Sequence, residues 1–141
     1  MITIAQPTIS AEGAARVRDA AVAHAAGLGV DVSVSIVDPG GHLTAFARMD
    51  GAPMASISVA HDKAFCAVSA STPTKAWNQV AADDPEFGAG LSTLPRFTLL
   101  HGGVPIVVDD VTVGAVGISG GSNDQDEAIA QAAVASIVPA G

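Results

Sequence analysis

The residues in this chain that could carry chemistry are few, and each admits a plainer reading. His61 stands four residues after Ile57 and four before Phe65, which places an imidazole on an apolar helical stripe. Neutral imidazole near pH 7 can ligate an iron or act as a general base, and an ordinary core histidine would sit there equally well. Lys63 follows on a different face of the same apolar segment. A lysine in that setting must snorkel, pair or lower its pKa, and it suits a clamp for a substrate carboxylate. Arg48 can make a bidentate carboxylate contact, or a surface pair with Asp50 that is worth little. His101 stands at the mouth of Gly102-Gly103, where the backbone permits close approach of a flat ligand. His42 falls in a turn and His24 on a solvent-facing helix side. Cys66, the single cysteine, reads as a small buried hydrophobe rather than a nucleophile.

The elements that must position these groups converge on the stretch Leu100 to Asp126. There, paired glycines bracket strongly apolar strands and lead into a helix. Ser122 to Gln125 has the spacing of a capping box. The unpaired N–H groups of such a helix start, beside strand-exit glycines, suit an anionic ligand. They suit a plain strand-to-helix turn as well, with Asp124, Asp126 and Glu127 answering the dipole. No HExxH, CxxC pair, P-loop or GxSxG is present.

In chain order, Met1 to Ala5 reads as a short strand or arm, and Ser10 caps a helix running to about Gly27. Val32 to Val37 and Leu43 to Met49 form a hairpin around Asp38-Pro39-Gly40-Gly41. A helix apolar on nearly all sides runs from Pro53 to about Ala70, so it is buried on more than one face. A short helix covers Thr74 to Ala81 and closes at Asp83-Asp84-Pro85. Arg96 to Leu100 reads as a third strand, Val104 to Val108 as a fourth and Val111 to Ser119 as a fifth. An alanine-rich helix from Asp124 to Val138 ends the chain. The reading is one α+β domain over residues 1–141, with roughly five mostly antiparallel strands packed with helices.

Length and composition bound the function. The chain has 141 residues, enough for one domain with a real core. Hydrophobic residues make up 49% and charged residues only 14%, so copies of the chain are expected to bury surface against one another as a homo-oligomer. The formal charge of −8 and the absence of a basic stripe exclude nucleic acid as a partner. No apolar run reaches the ~20 residues of a membrane span, and no secretory signal is visible, so the expected location is the cytoplasm.

Several segments in order carry a resemblance. They are Val37-Asp38…Gly41-His42-Leu43…Arg48-Met49-Asp50-Gly51-Ala52, Asp62-Lys63-Ala64, Gly102-Gly103-Val104-Pro105-Ile106, and Gly114 to Gly121 followed by Asp126-Glu127. Together, over about residues 8–138, they resemble the GlcG/HbpS haem-binding family, which includes the C-terminal domain of PduO-type corrinoid adenosyltransferases. The resemblance implies a compact unit with a roughly five-stranded antiparallel sheet, assembling into dimers to octamers, and a bound haem or related tetrapyrrole. It implies a pocket at Arg48, Asp50, Lys63, Gly102, Gly103, Ser119 and Gly120. His101 stands where that family usually has a proline or small residue before the Gly-Gly.

These observations leave open a tetrapyrrole-binding protein, an enzyme without haem, and a structural or regulatory subunit with no ligand. In the first, His61 or His101 ligates the iron and Arg48 or Lys63 meets the propionates, in an apolar pocket near a subunit interface. Four Phe, one Trp and no Tyr count mildly against it, because haem sites recruit aromatics. In the second, a lyase, isomerase or hydrolase acts on a carboxylated catabolic intermediate. Lys63 and Arg48 hold the carboxylate there, His61 or His101 moves the proton, and glycine N–H groups stabilise negative charge.

Overall fold

The structure, a computed structural model, describes residues 1–139. Helix α1 (Ala11–Leu28) starts at Ser10, whose side chain accepts from the Gly13 N–H, and stops at Gly29 in the left-handed conformation. Strands β1 (Ser33–Val37) and β2 (Leu43–Arg48) form the expected hairpin. Helix α2 (Ala55–Ala70) follows, then two short helices, α3 (Ala76–Asp83) and α4 (Pro85–Leu91). Strands β3 (Gly103–Val108) and β4 (Val111–Ser119) turn tightly at Asp109-Asp110, and α5 (Asn123–Ala135) closes the described chain.

The sheet is antiparallel throughout, in the order β2-β1-β4-β3. It has four strands among the described residues, not five, because Arg96 to Leu100 forms no strand. That run is apolar enough to read as one, but Arg96 sits at φ +60°, which breaks an extended backbone at its first residue. Met1 to Ala5 is likewise without regular structure and exposed. The Asp83-Asp84-Pro85 segment closes α3 as expected, but a second short helix, α4, starts there at once. Asp84 caps α4 by accepting from the Phe87 N–H, with proline in its first turn.

The two faces of the sheet are built differently. Val34, Ile36, Val104, Ile106, Val116 and Ile118 pack with Val17 of α1 and Ile129 of α5 into the main core. On the other face α2 lies over β1, β4 and β3, where the strands present small residues: Ser33, Ser35, Ala115 and Gly117. A Cβ at Gly117 would stand 1.9 Å from the Ala60 carbonyl oxygen, and one at Gly103 would stand 2.4 Å from that of Lys63. The backbone of α2 therefore rests directly on the sheet, which only glycine at these two positions permits. Strand β2 takes its helix packing from α1, so its α2-side face, carrying Phe46 and Arg48 in register with Ser35 and Ser33, borders an open flank of α2.

Candidate functional site

The groups singled out by the sequence fall into two separate places. The first is the entrance to α5. Ser122 and Gln125 form the expected capping box. The anion that this helix start favours is supplied by the chain itself. Asp126 Oδ1 accepts from the Gly121 N–H at 2.8 Å, and Glu127 Oε2 accepts from the Gly102 N–H at 3.1 Å. The Gly103 N–H donates to Thr74 Oγ1 at 3.0 Å. With these donors engaged, no glycine-flanked oxyanion hole is left at Gly102, Gly103 or Gly121, and the chemistry expected there by the enzyme reading loses its donors.

Lys63 belongs to the same entrance. Its Nζ donates to Asp126 Oδ2 at 2.9 Å and to the Ile118 carbonyl at 2.7 Å, and the side chain is 2% exposed. Burial draws the ammonium below the ordinary lysine range, while Asp126 and Glu127 pull it back. An ammonium so placed ties α2 to β4 and α5. The expected carboxylate clamp is an internal ion pair. Ser119 is buried beside it, Gly120 backs onto Asp31 and Val32, and the half-buried His101 is held by its N–H on Asn123 Oδ1 at 3.2 Å.

The second place is the flank of α2 toward the β1–β2 hairpin. Ser35, Gly117 and Gly103 lie in one row across the sheet. His61 reaches the Ser35 end of it, its Nδ1 lying 3.2 Å from Ser35 Oγ. The row spans two strand spacings, roughly 10 Å, before reaching the strand that His101 precedes. The two histidines are thus not brought together within one chain. Partial burial, then the nearby Arg96 charge, lower the His61 pKa, against a smaller opposing effect of Asp62, so the ring favours its neutral form.

One turn along α2 from His61, Phe65 packs beneath Gly41 of the hairpin. The guanidinium of Arg96 lies 3.7 Å above its ring centroid, and Arg96 Nε donates to Asp62 Oδ1 at 3.3 Å. Phe46, beside Ser35, and Arg48, beside Ser33, continue the same face of β2. Arg48 is exposed and has no ion pair among the described residues, so the alternative pairing with Asp50 is not made. The flank thus combines a near-neutral imidazole, two phenylalanines and two arginines. Sequence reasoning singled out His61 and Arg48. It missed Ser35, Phe46 and Arg96, because nothing local says that residues 35, 46, 61 and 96 share a surface. Cys66 is buried as expected, its Sγ 3.7 Å from the Thr98 carbonyl, and burial raises its pKa despite that contact. Among the described residues no cluster of His, Cys, Asp and Glu could hold a metal ion without further ligands, and no helix is long and apolar enough to cross a membrane.

Comparison with known proteins agrees with this architecture. Residues 9–135 match the family model described as haem degrading protein HbpS-like. An uncharacterized 15.0 kDa protein from the dhaT-dhaS intergenic region of Citrobacter freundii is 31% identical over 128 residues, covering 90% of each chain. The crystal structure of a PduOC:heme complex is 35% identical, with a TM-score of 0.84 over 92% of this chain and 95% of that one. That of a double mutant of Streptomyces reticuli HbpS is 32% identical, with a TM-score of 0.86 over 96% of this chain and 90% of that one.

Proposed function

Because the chain belongs to the HbpS-like family, we propose that it is a haem-binding protein whose ligand docks on the α2 flank. The observation that carries this reading is the placement of His61. Its Nδ1 is held by Ser35 Oγ while the ring is only partly buried. In the tautomer with the proton on Nδ1, donated to Ser35, the Nε2 lone pair is left free to bind iron. The lowered pKa favours the neutral ring that ligation requires. Phe46 and Phe65 supply apolar surface for a flat macrocycle, and Arg48 supplies a donor fork for a propionate. The likeness to a haem-complexed structure at 35% identity supports the same ligand class.

When bound, haem brings redox and oxygen chemistry; this chain's residues orient it and set its axial ligand. The open flank needs a second surface to exclude water. In this proposal a further copy of the chain provides it, which places the pocket near a subunit interface. The carboxylate enzyme is the weaker reading here, since Lys63 and the glycine N–H groups are engaged internally.

Hemin titration of the purified protein, read at the Soret band with His61→Ala and His101→Ala alongside, tests the proposal. Saturable one-to-one binding at micromolar or tighter affinity is expected, with the band shifted by His61→Ala and unmoved by His101→Ala. Unsaturable binding indifferent to both changes would reduce it to adsorption on apolar surface.

A further inference from the structure

Arg96 occupies a backbone conformation, φ +60°, that costs an ordinary side chain energy and that glycine would adopt freely. The conformation belongs to the turn Leu94–Phe97, closed by the Phe97 N–H on the Leu94 carbonyl at 3.3 Å, in which Arg96 follows Pro95; what the side chain does is a separate matter. Its planar group is stacked 3.7 Å above Phe65, and its Nε is tied to Asp62 by a single long contact of 3.3 Å. Its Nη2 is sealed from solvent and has no acceptor among the described residues. The side chain as a whole is 36% exposed, and the group lies close enough to His61 for its charge to be felt there. With Nε on Asp62 and Nη2 closed off, Nη1, which makes no hydrogen bond among the described residues, is the donor left for an anion, on a group held in place from two sides.

We infer that Arg96 is a carboxylate-binding residue of the α2 flank, taking the place that sequence reasoning gave to Lys63. The ligand class is a carboxylate carried by a flat apolar body, which stacks beside Phe65 while its anionic arm meets the guanidinium edge. Asp62 engages Nε alone, which leaves Nη1 for the ligand. The assignment of that arm to a haem propionate rests on the tetrapyrrole reading; the carboxylate site itself does not.

The test has two arms on the full chain. In the first, propionate replaces chloride at constant ionic strength while the His61 ring resonances are followed by NMR. The wild type should shift saturably and Arg96→Gln should not; a wild type that does not respond overturns the site, whether or not haem binds. In the second, hemin is compared with its dimethyl ester, which keeps the iron and macrocycle but lacks free carboxylates. Arg96→Gln should weaken hemin about tenfold and leave the diester unchanged. Equal loss for both would make Arg96 a structural residue. Failure of the wild type to bind hemin saturably would end the tetrapyrrole reading and leave the propionate arm to decide Arg96. Arg96→Gly, which relieves the positive φ, should melt no lower than wild type and still lose the propionate response, separating ligand binding from folding.

Discussion

Replacing Lys63 by methionine gives a sharp test of the packing described above. The wild-type ammonium holds Asp126 at 2.9 Å and the Ile118 carbonyl at 2.7 Å, with the lysine and aspartate side chains 2% and 4% exposed. Methionine fills most of the lysine stem, so the loss is chiefly electrostatic. Asp126 keeps only the Gly121 N–H, at 2.8 Å, and becomes a buried charge without a counter-ion. Breaking a buried pair from one side costs about 3–5 kcal/mol. Against a total stability of about 5–15 kcal/mol, that is a large part of what holds the domain together. At about 2–4 °C per kcal/mol, the melting temperature should fall by about 6–20 °C. Adding Asp126→Asn should recover much of the loss, since the amide oxygen still accepts from Gly121 and the stranded charge is gone. Urea unfolding of the two single variants and the double variant closes the cycle. A Lys63→Met protein within about 1 kcal/mol of wild type, or strictly additive effects, would refute the internal-pair account and return Lys63 to the list of ligand contacts.

Three further outcomes follow. Gly117→Ala places a Cβ 1.9 Å from the Ala60 oxygen and 2.6 Å from the Ala64 nitrogen, both backbone, so α2 must lift; a loss of about 1–3 kcal/mol by urea unfolding is expected. Gly27→Ala, in a helix with nothing within 4 Å, should instead be neutral or slightly stabilising, and equal effects at both sites would contradict the close-packed helix. For His61, the unfolded ring titrates near pH ~6.5. The folded ring titrates lower, through burial first and the Arg96 charge second. Its contribution to stability is therefore whole above about pH 6.5 and declines as pH falls from there through the folded value. His61→Gln should flatten that part of the urea midpoint against pH curve; an unchanged slope would mean the ring is not desolvated.

Much of the fold is written locally. Ser10 and the Ser122–Gln125 box mark helix starts because capping is a contact within four residues, and Asp38-Pro39-Gly40-Gly41 marks the hairpin for the same reason. The false strand at Arg96 to Leu100 shows where local reading ends. Its composition is that of a strand, but β3 and β2 are the sheet edges and neither pairs with it. The site was less legible still. The partner of Lys63 is 63 residues away, so the sequence shows a lone lysine where the structure has a closed ion pair. The α2 flank depends on register, Phe46 beside Ser35 and Arg48 beside Ser33, and register is a property of paired strands that no single segment carries.

The contrast between the two faces of the sheet gives the molecule two kinds of adhesion with different responses to temperature. The α1 and α5 side is joined by valine and isoleucine, whose burial dominates the heat capacity of unfolding and weakens on cooling. The α2 side is joined mainly by alanine, serine and glycine beside Val37, small side chains that give up little rotamer freedom on ordering. Its hold comes from dispersion between closely seated backbones and from the Lys63 ion pair, neither of which fades in the cold as hydrophobic burial does. The helix that carries His61 is thus fastened by the less temperature-sensitive side of the sheet, and the geometry of the proposed ligand atom should outlast a softening of the main core at low temperature.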